Sequence, residues 1–183
     1  NNCKKLQRIG FEADSKLQSI DDYAFCESSI DSITIPSSVI LIEYSSFSSC
    51  HNLQHVEFSD DSKLQNIGSY AFIHSMIKNI KIPSSVICIE DNAFYKCSKL
   101  ELVEFANDSK LQKISKKSFV NTKIKRITIP ASVTFIGEGA FRDCRKLKRF
   151  EIPSDSKLQT INERAFMSSS IKSIVIPSSV KEI

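Results

Sequence analysis

Few residues of this chain combine the types and the spacing that chemistry requires, and two histidines come closest. His51 and His55 are four residues apart, which is the spacing of two zinc ligands on one helix. The segment between them lacks the glutamate of zinc proteases and has no helical pattern, so we expect no metal ion there. The sequence also lacks glycine-rich phosphate loops and the nucleophile motif Gly-x-Ser-x-Gly. We therefore expect neither a cofactor nor catalysis.

Cysteines are the other reactive residues, and their spacing is regular. Four of the six recur at intervals of 47 residues, and seven phenylalanines keep the same period in alternating steps of 22 and 25 residues. These residues are Cys3, Cys50, Cys97 and Cys144, and Phe25, Phe47, Phe72, Phe94, Phe119, Phe141 and Phe166. A period of this size indicates a repeat protein, in which each unit buries its apolar face against its neighbours.

Each unit contains a segment of the form L-x-x-I-x-I, such as residues 53–58, in which apolar and polar residues alternate. Alternation with period two predicts a half-buried strand, and one such strand in each coil predicts a parallel sheet. In the short units a Pro-Ser-Ser turn follows, as between Ile35 and Val39. In the long units the loop has five residues, as between Phe58 and Leu64. The turn after phenylalanine differs as well, with five residues from Phe25 to Ile30 and six from Phe47 to Leu53. The loop and this turn together explain the alternation of the period.

The rest of each unit must lie on the opposite side of the coil. The apolar pair represented by Leu17 and Ile20 predicts a short strand there, and the polar segment around each phenylalanine predicts a tight turn or one turn of 3₁₀- or α-helix. We expect a mainly β repeat solenoid with one parallel sheet and about seven full units of alternating 22 and 25 residues. We expect residues 1–183 to form a single solenoid, a fragment of a longer array with partial units at both ends.

The unit resembles the BspA-type class of leucine-rich repeats, whose pattern is approximately L-x-x-I-x-x-x-A-F-x-x-C-x-x-L-x-x-I-x-I-P. In the first full unit the matching residues are Leu17, Ile20, Ala24, Phe25, Ile30, Ile33, Ile35 and Pro36. The resemblance covers essentially the whole chain and implies a leucine-rich repeat fold. It also implies adhesion to host cells or matrix proteins, by a surface or secreted protein of bacteria or parasitic protists.

Coil geometry bears on the state of the cysteines. Cysteines one full period apart are separated by two coils, which is roughly 9.6 Å at about 4.8 Å per strand. A disulfide requires Cα atoms within roughly 7 Å, so we expect these four to be free thiols buried in the turn. Cys26 and Cys88 occupy other positions and have no obvious partners.

The residues between the inward positions of the strands should form an outward face, which is our candidate binding surface. Its residues are His55, Glu57, Asn79, Lys81, Leu102, Glu104, Arg126, Arg149 and Glu151. Leu102 is an apolar exception on this polar face and a candidate contact for a partner. Glu57, Lys81 and Glu104 stand on consecutive strands, where they either pair across the strands or simply keep the sheet soluble.

Charge is distributed unevenly along the chain. Residues 1–61 hold 4 basic and 10 acidic side chains, a net charge of −6, whereas residues 111–172 hold 14 and 5, a net charge of +9. A candidate basic patch next to Arg126 and Arg149 consists of Lys123, Lys125, Arg142, Arg145, Lys146 and Lys148. Such a patch either attracts acidic protein or glycan or is a solvated basic end. We expect no nucleic acid, because no aromatic residues are interleaved for base stacking.

These patterns predict a non-enzymatic protein-binding module, and the resemblance implies that it belongs to a cell-surface or secreted protein whose partner is a host surface or matrix protein. The alternative is an intracellular scaffold or self-assembling segment, in which the oppositely charged halves favour head-to-tail contact. No apolar run approaches the ~20 residues that a membrane span requires. Asn107-Asp108-Ser109 is a glycosylation sequon, and the sequence leaves open whether Asn107 is modified.

Overall fold

The computed structural model describes residues 3–183, which wind into successive coils of strands and turns. Its strands are, in chain order, β1 (Ser19–Ile20), β2 (Ser32–Ile35), β3 (Leu41–Ile42), β4 (His55–Phe58), β5 (Asn66–Ile67), β6 (Asn79–Ile82), β7 (Cys88–Ile89), β8 (Leu102–Phe105), β9 (Lys113–Ile114), β10 (Arg126–Thr128), β11 (Phe135–Ile136), β12 (Arg149–Glu151) and β13 (Thr160–Ile161). The predicted mainly β solenoid is confirmed. Nothing in the described range is a helix long and apolar enough to cross a bilayer.

The odd-numbered strands have two residues each and form one seven-stranded parallel sheet, in the order β1-β3-β5-β7-β9-β11-β13. We call this sheet the short-strand wall. Each of its strands ends in an isoleucine that is buried in the core, as Ile42 and Ile67 are. Isoleucine suits this position because its β-branched side chain packs well on a pleated, buried surface.

The even-numbered strands correspond to the L-x-x-I-x-I segments and form the long-strand wall. They pair in parallel as β2–β4, β6–β8 and β10–β12, and within residues 3–183 they are not joined into one ladder. The alternation of apolar and polar residues in these segments predicts the continuous parallel sheet on this wall. The structure places the continuous sheet on the short-strand wall instead.

Turn length explains why the long-strand wall is divided. Each pair joins a short unit to the long unit that follows, and there Gln54 N–H bonds to the Asp31 carbonyl at 2.9 Å and Glu101 N–H to the Lys78 carbonyl at 2.8 Å. At the next step the turn after phenylalanine is one residue shorter. The corresponding bond from Lys78 N–H to the Gln54 carbonyl is 3.4 Å long. A weaker step therefore separates successive strand pairs.

The turns around the phenylalanines form a third wall, the turn wall. Their backbone is left-handed two residues before and two residues after the phenylalanine, as at Tyr70 (φ 59°) and His74 (φ 60°) around Phe72. The N–H groups of these three residues donate to carbonyl oxygens of the next coil at 2.8–3.0 Å. The predicted turn is confirmed in its simplest form, without a helical turn in residues 3–183, and its backbone bonds add a further link between the coils.

The phenylalanines form a column along the core, as the repeat predicts. The five from Phe47 to Phe141 are fully buried, and Phe25 and Phe166 at its ends are partly buried. From Phe25 to Phe141 the centroids of neighbouring rings lie 5.2–5.4 Å apart. The residue before each phenylalanine is alanine or serine. The Ser118 hydroxyl donates to the Ser115 carbonyl at 3.0 Å, whereas the buried Ser46 hydroxyl has no partner in the part of the chain described. Alanine therefore fits this buried position better, because it has no hydroxyl group that needs a hydrogen-bond partner.

Three of the four regularly spaced cysteines are buried, as predicted, namely Cys50, Cys97 and Cys144. The Cys97 Sγ lies 3.2 Å from the Ser75 Oγ and donates to the Phe72 carbonyl at 3.0 Å. Burial raises the pKa of the Cys97 thiol to about 12, so it stays protonated at neutral pH. Cys3 is only partly buried, and all six cysteines of residues 3–183 are free thiols.

Serines of the repeated loops hold the turns and link them to neighbouring coils. The Ser109 Oγ accepts the N–H of Leu111 at 3.3 Å, and Ser62 and Ser156 form the same bond in their own loops. The Ser132 hydroxyl donates to the carbonyls of Ser109 and Leu111, both at 2.8 Å. The recurring serines are therefore turn residues.

Candidate functional site

The long-strand wall brings all nine predicted surface residues onto one face. Side chains alternate along each strand, so that Asn79 and Lys81 are exposed on either side of the buried Ile80. Leu102 is partly exposed, and the other eight are exposed. The face is therefore available to a partner.

An open groove of ≈ 680 Å³ crosses this face from β6 to β12. Six of the nine predicted surface residues line it, namely Lys81, Leu102, Glu104, Arg126, Arg149 and Glu151. His55, Glu57 and Asn79 lie outside this groove, on β4 and β6. The candidate binding surface is therefore reduced to the part of the long-strand wall between β6 and β12.

The loop that follows β8 forms one side of the groove. Ala106, Asn107 and Asp108 line it, together with Phe105 at the end of the strand. Phe105 is only partly buried, whereas Ile82 at the equivalent place in a short unit is fully buried. These three loop residues are not among the residues predicted for the binding surface. The greater length of the loop in the long units was the one sign in the sequence that it could extend beside the strands. The sequon residue Asn107 is exposed at this edge.

Positive charges face each other within the groove. Arg126 of β10 and Arg149 of β12 are register partners in the parallel pair. Beside them, Lys148 N–H donates to the Lys125 carbonyl at 3.0 Å, so these two lysines are also on adjacent coils. Like charges placed directly opposite each other destabilise a sheet. The fold itself therefore does not account for this arrangement.

Two acidic side chains partly offset these charges. Lys125 Nζ lies 2.6 Å from Glu101 Oε2, and the hydrogen bond from that lysine lowers the pKa of the Glu101 carboxyl. Arg149 Nε lies 3.6 Å from Glu151 Oε1. Such exposed pairs contribute little to stability. Across residues 3–183 no acidic side chain pairs with Arg126, which leaves its guanidinium open to a ligand.

Glu57, Lys81 and Glu104 behave as solvated charges. Lys81 and Glu104 are register partners, whereas Glu57 lies across a step at which the strands are not paired. In the described part of the chain no ion pair joins any two of the three. Of the two interpretations of this triplet, the structure favours solubilisation of the sheet.

The remaining residues of the basic patch precede β10 and β12 in the chain, at and after the turns. Arg142 Nε lies 3.2 Å from Asp143 Oδ2, and Arg145 Nη2 lies 3.9 Å from Asp143 Oδ1. Lys123 and Lys146 are exposed. The structure therefore divides the basic patch into a strand part beside the groove and a turn part that Asp143 partly neutralises.

His51 precedes β4, and His55 is the first residue of that strand. His51 and His55 are both exposed. Over residues 3–183 no three histidine, cysteine, aspartate or glutamate side chains are placed to hold a metal ion. The groove remains the candidate site.

Comparison with known families gives one match. The family described as a BspA type leucine rich repeat region matches residues 1–101 and 65–183, with six copies of its repeat. No curated protein matches the chain in sequence.

Solved structures share the solenoid. The pneumococcal vaccine antigen PcpA is 22% identical with a TM-score of 0.72, over 90% of this chain and 57% of that one. The T. pallidum leucine-rich repeat protein TpLRR is 26% identical with a TM-score of 0.66, over 74% and 63%. A leucine-rich cell surface protein from Faecalibacterium prausnitzii is 19% identical with a TM-score of 0.56, over 90% and 66%. The matches thus span 57–66% of these proteins.

Proposed function

The chain belongs to the BspA-type leucine-rich repeat family, and from this premise we propose that it is a non-enzymatic module that binds a protein on its long-strand wall. The observation that carries the proposal is Arg126 facing Arg149 in an open groove. Two like charges in register cost stability, and an anionic group bound between them would offset their repulsion.

A protein suits this groove better than a small molecule does. Small-molecule sites are concave and bury most of their ligand, whereas this groove is open and crosses four strands. Leu102 and Phe105 supply partly exposed apolar atoms, and Lys81, Glu104 and Arg126 supply charges around them. An apolar centre with a polar rim is the usual anatomy of a protein interface.

The partner should present carboxylates to the two arginines. A guanidinium group binds a carboxylate through two parallel hydrogen bonds, which gives both orientation and affinity. A surface location is supported by the Faecalibacterium prausnitzii structure, which is described as a cell surface protein. The proposal is therefore a cell-surface or secreted adhesion module whose partner is a host surface or matrix protein with an acidic contact region.

Self-assembly, as in an intracellular scaffold, is a second candidate that charge favours. The net charge is −6 over residues 1–61 and +9 over residues 111–172. Opposite charge at the two halves favours head-to-tail contact between copies. The chain itself therefore belongs among the partners that are tested.

The test measures the binding of purified cell-surface and extracellular-matrix proteins, and of the chain itself, to the immobilised chain. Leu102→Asp is expected to weaken binding of the partner by about tenfold or more, because its carboxylate removes the apolar contact, competes for Arg126 and repels the acidic contact region. The matched control is Ile87→Asp, at a residue that is 37% exposed and adjoins β7 on the short-strand wall. Its affinity should stay within about twofold of the original.

Equal weakening by both variants would contradict a binding site on the long-strand wall. A panel in which only the chain itself binds would favour self-assembly over adhesion. Unfolding midpoints measured for both variants establish that any loss of binding does not come from loss of the fold.

A further inference from the structure

Three tyrosines form a ladder on another side of the coil, where β1, β3 and β5 lead into the turns. The ring centroids of Tyr23 and Tyr44 lie 5.4 Å apart, as do those of Tyr44 and Tyr70. Tyr23 is 52% exposed and Tyr44 is 40% exposed. The tyrosine ladder therefore offers aromatic surface to solvent along three successive coils.

The fold does not require these tyrosines. Tyr23 and Tyr70 have left-handed backbone, with φ of 57° and 59°, and Gly139 takes φ 59° at the equivalent position of a later turn. Bulky side chains rarely adopt this conformation, because Cβ approaches the following carbonyl. Other units place Asn92 and Lys117 there, also with positive φ. The same turn thus forms without an aromatic ring.

Four carboxylates lie close together beside the tyrosine ladder, namely Asp21, Asp22, Glu43 and Glu90. Asp22 Oδ1 accepts the N–H of Tyr44 at 3.0 Å, and Glu90 Oε2 accepts both the N–H and the hydroxyl of Ser69 at 3.0 Å. None of the four forms an ion pair with a lysine or arginine within residues 3–183. Partial burial, followed by the negative charges of Asp22 and Glu90, raises the pKa of the Glu43 carboxyl. A cation bound here would relieve this crowding of negative charge.

We propose that the tyrosine ladder and its carboxylates form a second binding surface, which holds a lysine- or arginine-rich segment of a protein partner. The rings attract cations through their faces, and the carboxylates accept hydrogen bonds from ammonium or guanidinium groups. The chain contains one such contact of its own on the next coil, where Lys96 Nζ lies 5.2 Å from the centroid of the Tyr95 ring. This surface lies where the short-strand wall meets the turn wall, away from the groove.

Charge favours a basic protein segment over a neutral glycan or an anionic ligand on this surface. A neutral glycan would use the rings but would leave the carboxylates without a counter-charge. An anionic ligand would add to the negative charge around Glu43, whose pKa is already raised by partial burial and by the charges of Asp22 and Glu90. A basic segment satisfies both the rings and the carboxylates.

The test uses a fluorescent peptide of alternating arginine and serine, and a second peptide with glutamine in place of arginine. The double variant Tyr23→Ser/Tyr44→Ser removes the exposed rings, and serine is compatible with the fold because Ser45 and Ser69 occupy the equivalent positions of neighbouring units. Tyr95→Ser is the matched control outside the ladder. A second pair compares Glu43→Gln with Asp61→Asn, which removes one negative charge from a loop on another side.

We expect the double tyrosine variant to raise the Kd of the arginine peptide by about tenfold, and Tyr95→Ser to change it by less than about twofold. Glu43→Gln should weaken binding more than Asp61→Asn does. Equal effects within each pair would mean that only overall charge attracts the peptide, and would overturn the proposal. The proposal would also be overturned if the glutamine peptide bound as tightly as the arginine peptide, or if a neutral oligosaccharide displaced the arginine peptide.

Discussion

Replacing Phe94 by alanine is expected to lower the free energy of unfolding by ~3–5 kcal/mol. Phe94 is fully buried, and its ring stacks between those of Phe72 and Phe119, with centroids 5.4 Å and 5.3 Å away. The interplanar angles are 9° and 3°, so the three rings are nearly parallel. Truncation removes the buried ring and leaves a cavity in the middle of the column, because the flanking turns are held by backbone bonds and cannot collapse into it.

This loss of unfolding free energy is measured by denaturant titration, with circular dichroism as the signal of unfolding. The matched control is Phe135→Ala, because Phe135 is a partly exposed residue on the outer face of the short-strand wall, with Lys113 Nζ 5.4 Å from its ring centroid. It should cost less than about 1.5 kcal/mol, since its side chain leaves no enclosed cavity. Equal costs for the two variants would contradict the column as the core of the repeat.

Reversing the charge of both groove arginines is expected to weaken binding of the partner by about 100-fold. In the double variant Arg126→Glu/Arg149→Glu, the two side chains that face each other in register would repel the acidic contact region that they are proposed to hold. The single variant Arg126→Glu should instead raise stability by roughly 0.2–1 kcal/mol, because opposite charges then face each other across the strands. The arginine pair is thus expected to serve binding at the expense of the fold.

Affinity and unfolding measured on the same variants separate these two effects. Lys113→Glu reverses one charge on the short-strand wall and controls for the general attraction of a basic chain. It should change affinity by less than about threefold at physiological ionic strength. An equal loss per reversed charge at both sites would contradict a specific role of the arginine pair, and a loss of stability in Arg126→Glu would contradict the cost assigned to it.

Much of the fold could be predicted because the apolar positions repeat in register. The phenylalanine column, the outward direction of Lys81 and Arg126, and the burial of Cys97 all follow from the period and from alternation along the strands. The wall that carries the continuous sheet could not be predicted in this way. It depends on one residue in the length of the turn after phenylalanine. The spacing of the apolar residues shows that difference in length but not which strand pairs it leaves without ladder bonds.

The candidate sites were predictable only where they lie on strands. Residues 106–108 border the groove because a longer loop follows β8, and loop length alone does not show which way the loop extends. Tyr23 and Tyr44 are adjacent in space because neighbouring turns stack, although one precedes its phenylalanine by two residues and the other by three. The three tyrosines do not share one position of the repeat, so the repeat pattern does not show that they are neighbours.

The central claim is that the partner binds in the groove on the long-strand wall. Its most direct test is an amide NMR spectrum of the isotope-labelled chain, titrated with the protein partner that binds most tightly. We predict that the signals of Leu102, Arg126 and Arg149 shift or broaden, while those of Asn66 and Lys113 on the short-strand wall do not. Perturbations at Asn66 and Lys113, with Leu102, Arg126 and Arg149 unchanged, would contradict the claim.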